Sequence, residues 1–189
     1  MKNLLNATAL AAALCLCGAA QAGVITFNDP AQIEIDNATG ATSYTEAGFV
    51  FSAPGLSFLT LNDALVGGVV DATPFSLRAL GGGPFALLSL DFGAFDLGFG
   101  DPPGVLTIVG LGGALPLMQM LNLGAPASFS FGDGWSNLTE VTFSGTSGFF
   151  LDNVNVNAVP EPSTLALSAL GALGALGMRR ASRGRRVAG

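Results

Sequence analysis

Short strand-like segments, separated by turn residues, occupy residues 23–158 and constrain the fold more than any other feature of the chain. They recur about every eight to twelve residues, and Gly, Pro, Asn or Asp residues bound them. The segments are "GVITF", "AQIEI", "GFVFS", "LSFLTL", "FSLRAL", "FALLSLDF", "VLTIVG", "LPLMQMLNL", "SFSFG", "LTEVTFSG" and "FFLDNVNVN". The segment "LPLMQMLNL" would also suit a short buried helix.

Helical periodicity is almost absent from this stretch, so the pattern predicts an all-β fold without crossover helices. We expect about ten short strands in an antiparallel β-sandwich, with the jelly-roll closure common among secreted chains. The chain has 14 phenylalanines, one tyrosine and one tryptophan. Phenylalanine therefore supplies most of the predicted core between the two sheets.

Residues 1–22 have the pattern of a secretory signal peptide. Lys2 precedes an apolar run, and the small residues of "AQA" before Gly23 fit signal cleavage after Ala22. A retained membrane helix is the alternative, which the shortness of the run and the good cleavage site disfavour. Both cysteines, Cys15 and Cys17, lie in this segment. The processed chain then contains neither a disulfide nor a thiol nucleophile nor a thiolate metal site.

Charge is distributed very unevenly along the chain. Arg78 is the only basic residue of segment 23–158, which holds twelve acidic residues, so this segment has a net charge of −11. Nucleic acid binding requires clustered cations and is excluded as its function. An acidic surface of this kind suits secreted proteins and divalent cations.

The last segment, residues 159–189, combines three features. The triplet Pro160, Glu161 and Pro162 is followed by an apolar stretch from Thr164 to Met178. This stretch is at the short end for a single transmembrane helix. A basic cluster follows, and it predicts a cytoplasmic C-terminal tail with the main domain outside the membrane. Its members are Arg179, Arg180, Arg183, Arg185 and Arg186.

This order of triplet, short span and arginine cluster resembles the PEP-CTERM sorting signal of exopolysaccharide-producing Gram-negative bacteria. The resemblance implies a precursor held in the inner membrane, with Pro160, Glu161 and Pro162 recognised by an exosortase. This integral-membrane transpeptidase would remove the tail and release the protein to the cell surface or extracellular matrix. The same tail also carries the label of an ice-binding protein C-terminus, which describes the tail and implies no ice binding.

The order "GFVFS", "FALLSLDF", "VLTIVG", "LTEVTFSG" and "FFLDNVNV" is similar to that of carbohydrate-binding-type jelly rolls. The resemblance implies a non-catalytic domain that associates with exopolysaccharide or another envelope component. Trp135, between Asp133 and Asn137 in a turn, is the candidate sugar-stacking platform, with those two residues as hydrogen-bonding partners. The alternative is a loop tryptophan folded onto the end of the sandwich. Tyr44, in the predicted loop "TGATSYTEAG", is a weaker candidate.

Two aspartates interrupt apolar strand faces. In "ITFND", Asp29 shares a face with Ile25 and Phe27, and in "FLDNVNV" Asp152 shares a face with Val154. An unpaired carboxylate there is costly, so we predict a structural calcium ion between the first and last strands. Its proposed ligands are Asn28, Asp29, Asp152 and Asn153. Alternatively, Asp29 forms a turn before Pro30 and Asp152 lies at a strand end in water.

The composition disfavours catalysis. The chain has no histidine, and no serine lies in a G-x-S-x-G turn. A glycoside hydrolase needs only two carboxylates, for which Asp91 with Asp96 or Glu140 with Asp133 are formal candidates. We therefore expect a binding protein, with a purely structural matrix protein as the alternative and a hydrolase as the least favoured function.

Overall fold

The computed structural model describes residues 22–29, 32–68, 73–95 and 104–158. These residues form thirteen strands in two sheets, and every strand pair is antiparallel. The predicted all-β, jelly-roll-like antiparallel sandwich is therefore confirmed. The predicted signal helix and transmembrane helix lie outside the described residues. Within the described ranges, no helix has the length and apolar character required to cross a membrane.

The strands of the first sheet, sheet A, are β1 (Ala22–Ile25), β5 (Phe58–Leu61), β6 (Ala64–Gly67), β8 (Phe85–Ala94), β11 (Ala127–Ser130) and β13 (Phe149–Ala158). The sheet is centred on its last strand, β13. Strand β8 pairs with one side of β13 over nearly its whole length, and β6 and β1 share the other side. The first and last strands therefore lie together, as the calcium prediction requires, and Ile25 pairs with Val154.

The strands of the second sheet, sheet B, are β2 (Ile33–Ile35), β3 (Thr42–Glu46), β4 (Phe49–Ala53), β7 (Phe75–Ala79), β9 (Val105–Leu111), β10 (Leu117–Asn122) and β12 (Glu140–Gly145). Their order across the sheet is β10-β9-β12-β7-β4-β3-β2. The segment "LPLMQMLNL" forms the edge strand β10, which settles the ambiguity between strand and helix.

Phenylalanine side chains fill the space between the sheets, as predicted. Phe75 of sheet B lies with its ring centroid 5.2 Å from that of Phe58 and 5.8 Å from that of Phe149, both in sheet A. Phe49 of sheet B meets Phe85 of sheet A edge to face at 5.4 Å. All five rings are at most 2% exposed. Offset and edge-on ring pairs add to the free energy gained by burying apolar surface.

Two strands were not predicted, and both belong to tight hairpins. Ala47 and Gly48 connect β3 to β4, and both have positive φ angles. Asn62 and Asp63 connect β5 to β6 in the same way, with φ angles of 51° and 59°. Two-residue turns with positive φ match the twist of antiparallel strands, and Asn-Asp is a sequence suited to them. The predicted loop around Tyr44 is therefore strand β3.

Candidate functional site

The predicted calcium-binding residues of the last strand lie at a β-bulge. Val154 is buried, whereas Asp152 is only half-buried on the opposite side of β13, because the pairing with β8 shifts register between Asp152 and Asn155. Asn153, with a φ of 45°, occupies this irregularity. The prediction that Asp152 shares a face with Val154 is therefore wrong, because the extra residue of the bulge reverses the alternation.

Two carboxylates face each other across the strands at this bulge. Asp152 pairs directly with Asp91 of β8, and the side-chain amide of Asn153 donates hydrogen bonds of 2.8 Å to Asp91 and 3.3 Å to Asp152. The backbone N–H of Asn153 also donates to Asp152 at 2.6 Å. Burial raises the pKa of Asp152, and the negative charges of Asp91, Asp63 and Glu46 raise it further.

The other predicted calcium-binding residues follow β1. Asn28 and Asp29 are exposed, and β1 ends earlier, at Ile25. The backbone carbonyl and side chain of Asp29 accept hydrogen bonds of 3.1 Å each from Gln32. These bonds fit the alternative of a turn outside the strand. Among the described residues, no group of three or more carboxylates lies close enough to share a metal ion. The calcium site stays a prediction.

Trp135 lies in a single turn of 3-10 helix, Asp133–Trp135. In the chain this turn connects β11 of sheet A to β12 of sheet B. Its ring is half-buried, with its centroid 4.6 Å from that of Phe131, and it covers Gly110 of β9. Asp133 and Asn137 are exposed beside it. Part of the indole therefore packs on the sandwich, as in the alternative interpretation, and part remains accessible. Its role in sugar contact stays a prediction.

Tyr44, the weaker sugar-contact candidate, is fully buried and cannot act as an exposed platform. It lies in β3 and not in the predicted loop, and it points into the core, where its hydroxyl donates a 2.7 Å hydrogen bond to Glu46. Glu46 also accepts hydrogen bonds from the backbone N–H groups of Thr26 and Phe27. This carboxylate therefore joins β3 of sheet B to the segment that follows β1 of sheet A, a role that the sequence did not indicate.

The outer face of sheet B carries two adjoining depressions, which we call the hydroxyl groove. One depression has a volume of about 510 Å³ and the other about 320 Å³, and both are lined by Ser52. Both depressions are shallow and open to solvent. The polar residues that line the groove are Glu34, Asp36, Thr42, Ser43, Ser52, Ser76, Arg78, Glu140 and Thr142, of which Thr42 is buried. Many donors and acceptors thus line a surface that was not predicted as a site.

Arg78 and Glu140 form an ion pair of 2.8 Å beside the hydroxyls of the groove. Glu140 was a formal candidate for catalysis with Asp133, and here its charge is compensated by the only cation of segment 23–158. Asp91, the other formal candidate, accepts hydrogen bonds from Ser128 and Asn153. Its predicted partner Asp96 lies outside the described residues. These contacts favour structural roles for Glu140 and Asp91.

Comparison with known protein families finds the PEP-CTERM protein-sorting motif at residues 158–181. This match confirms the sorting tail predicted from the proline–glutamate–proline triplet and the residues after it. Pro160, Glu161, Pro162 and the arginine cluster lie outside the described residues. No curated protein matches this chain.

Among solved structures, the chain is similar to family 29 carbohydrate-binding modules. A module from Piromyces equi is 10% identical, with a TM-score of 0.44, and the match covers 75% of this chain and 92% of the module. A second family 29 module is 12% identical, with a TM-score of 0.43 and coverage of 74% and 89%. A third, a variant solved with mannohexaose, is 13% identical, with a TM-score of 0.43 and coverage of 74% and 92%. The described strands form an all-β sandwich, and the chain carries a PEP-CTERM protein-sorting motif.

Proposed function

We propose that this chain is an exported bacterial protein, processed by an exosortase, which associates with exopolysaccharide without catalysing a reaction. The sorting motif at residues 158–181 supports export and processing. The hydroxyl groove is the observation that carries the binding part of the proposal, because hydroxyl, carboxylate and guanidinium groups recognise sugar hydroxyls through hydrogen bonds. The protein reaches the inner membrane as a precursor and then the cell surface or matrix of a Gram-negative bacterium.

The sorting step is tested with the full chain in a Gram-negative host that contains an exosortase. The variant Pro160→Ala/Glu161→Ala/Pro162→Ala keeps the apolar stretch and the arginine cluster but removes the recognition triplet. We expect it to accumulate as an unprocessed membrane-bound precursor, whereas Ser163→Ala is processed normally. Normal processing of the triplet variant would disprove the role of the exosortase.

The binding step is tested by retention of the full chain, purified in mild detergent, on immobilised exopolysaccharide. Measurement with calcium and with a chelator also tests the proposed ligands Asn28, Asp29, Asp152 and Asn153. We expect retention, and loss with chelator would support the calcium site. The variant Trp135→Ala examines the contact proposed for Trp135, Asp133 and Asn137. Absence of retention from a folded sample would reject the binding function.

A purely structural matrix protein is the second candidate, favoured by the edge strand β10. Met118 and Met120 are 67% and 59% exposed there. Residues 104–132 contain no charged residue, although the surrounding segment is strongly acidic. An uncharged edge strand offers unpaired backbone groups for association with another chain. This function predicts concentration-dependent association of the purified chain without any polysaccharide, measured by analytical ultracentrifugation.

A further inference from the structure

The hydroxyls of the groove lie in one row that crosses the sheet. Strand register places Thr142 of β12 opposite Ser76 of β7, Ser76 opposite Ser52 of β4, and Ser52 opposite Ser43 of β3. Each of these residues is half-buried on the outer face of its strand. The hydroxyl oxygens of Ser52 and Ser76 are 3.4 Å apart. Four neighbouring strands thus present hydroxyl groups along one line.

The row of paired residues continues to both edge strands of sheet B, where apolar or acidic side chains replace the hydroxyls. On one side Thr142 pairs with Val109 of β9, which pairs with Met118 of β10. On the other side Ser43 pairs with Glu34 of β2. Because neighbouring strands are about 4.8 Å apart, the four hydroxyls span roughly 14 Å. The spacing of the strands is close to the length of one hexose unit. Successive sugars of an extended glycan can therefore contact successive strands.

We infer that the hydroxyl groove binds a neutral, extended polysaccharide that lies across the strands of sheet B, along the row from Ser43 to Met118. This inference rests on the proposed function and names the ligand class and the site. Hydroxyls of the glycan bond to the serine and threonine row and to the carboxylates beside it. The apolar faces of its sugar rings contact Val109 and Met118.

The charges of the groove disfavour an acidic polymer as the ligand. The groove contains the carboxylates of Glu34, Asp36 and Glu140 but only one cation, Arg78, which is paired with Glu140. Segment 23–158 as a whole has a net charge of −11. A polyuronate would meet electrostatic repulsion that salt only partly screens, whereas a neutral glycan would not. Binding should therefore depend little on ionic strength.

The test uses native gels cast with galactomannan, with hydroxyethyl cellulose or with alginate, in which binding slows the migration of the full chain. The two neutral polymers represent the proposed ligand class, and alginate is a polyuronate. The variant Ser52→Ala/Ser76→Ala/Thr142→Ala removes three hydroxyls from outward-facing positions. The control Thr107→Ala/Ser144→Ala removes two hydroxyls from the same sheet face that line neither depression. Emission of Trp135 confirms that the triple variant and the control are folded.

We expect retardation in at least one neutral gel and none in alginate. The triple variant should lose about tenfold or more in affinity, since each hydrogen bond contributes modestly, and the control should bind as the unmodified chain does. Unchanged binding by the triple variant would overturn the inference but leave the proposed function intact. Loss of binding in Trp135→Ala alone would have the same meaning. Equal binding to alginate would overturn the ligand class. Failure to bind these polymers and the exopolysaccharide would overturn both proposals.

Discussion

The hydroxyl of Tyr44 donates a 2.7 Å hydrogen bond to the carboxylate of Glu46, two residues along the same strand. The same carboxylate accepts a 3.0 Å hydrogen bond from the backbone N–H of Phe27 and bonds to both the backbone N–H and the hydroxyl of Thr26. Thr26 and Phe27 directly follow β1, which is paired in sheet A, whereas Tyr44 and Glu46 belong to sheet B. One carboxylate therefore joins the two sheets at the start of the domain.

Glu46→Ala should destabilise the protein by about 3 kcal/mol, because hydrogen bonds to a charged group each contribute about 1.5–3 kcal/mol and those to one carboxylate are not additive. The measurement is chemical denaturation of the full chain in mild detergent. Glu34→Ala is the matched control, since Glu34 is exposed on the edge strand β2 and should change the free energy of unfolding by less than about 0.5 kcal/mol. Equal effects of the two substitutions would refute the joining role of Glu46.

Tyr44 should make the fold sensitive to alkaline pH. Burial first, and then the hydrogen bond and negative charge of Glu46, raise the pKa of Tyr44 far above its ordinary value of 10.0. The folded state thus holds this proton more tightly than the unfolded state, so stability present below pH 10.0 is lost as the pH rises above it. Because the chain has one tyrosine, phenolate absorbance reports on Tyr44 alone. Ionisation at the ordinary pH without unfolding would contradict the structure.

The variant Tyr44→Phe separates this titration from general alkaline denaturation. It removes the phenol but preserves the ring, whose centroid lies 5.3 Å from that of Phe27. We expect lower stability at neutral pH, through loss of the bond to Glu46, and a weaker decrease of stability above pH 10.0. A decrease as steep as in the unmodified chain would show that other groups cause it.

Without calcium, Asp152→Asn should stabilise the fold at neutral pH. The pKa of Asp152 is raised above its ordinary value of 3.8 by burial and by Asp91, Asp63 and Glu46. The folded state therefore binds this proton more readily, so the ionised form costs stability at neutral pH, and the cost disappears as the pH falls toward 3.8. The difference between variant and unmodified chain should shrink on acidification. Chemical denaturation at neutral pH and near pH 3.8 measures this difference in the free energy of unfolding. A difference that stays constant or grows on acidification would contradict this account.

Phe75→Ala should cost about 3–5 kcal/mol of stability through the cavity that it leaves. Its ring lies between the sheets, with centroid distances of 5.5 Å to Phe143 and 5.8 Å to Phe149. Leu115→Ala is the control, because Leu115 is 78% exposed and should change stability by less than about 0.5 kcal/mol. Thermal unfolding compares the two, and a small effect of Phe75→Ala would mean that the sheets do not pack through this ring.

The sequence predicted the sandwich because alternating apolar positions in segments such as "LTEVTFSG" reflect the burial of Val141 and Phe143. It failed where local geometry departs from simple alternation. The bulge at Asn153 places Asp152 on the opposite face from the one predicted. Strand β3 was predicted as a loop because the Ala47–Gly48 turn was not recognised as a hairpin. The pair Asn62-Asp63 is a sequence suited to a two-residue hairpin turn, and it would have predicted β6.

The hydroxyl groove could not be predicted, because it depends on strand order and register. Ser52 and Ser76 belong to strands that are neighbours in space but separated in the chain by two strands of sheet A. Thr142 lies 66 positions after Ser76 in the chain, yet the two residues pair directly in the sheet. Each serine or threonine alone looks like an ordinary outward-facing strand residue. Only the tertiary pairing turns them into one polar surface.

The most direct test of the central claim is amide chemical-shift mapping of the full chain during titration with fragments of the exopolysaccharide. The account predicts shifts at Ser52, Ser76 and Thr142 and at their neighbours on the outer face of sheet B. The indole N–H of Trp135 reports separately on the sugar contact predicted for that residue. Shifts centred on Trp135 and Asn137 with none in the groove, or no shifts at all, would contradict glycan binding by the hydroxyl groove.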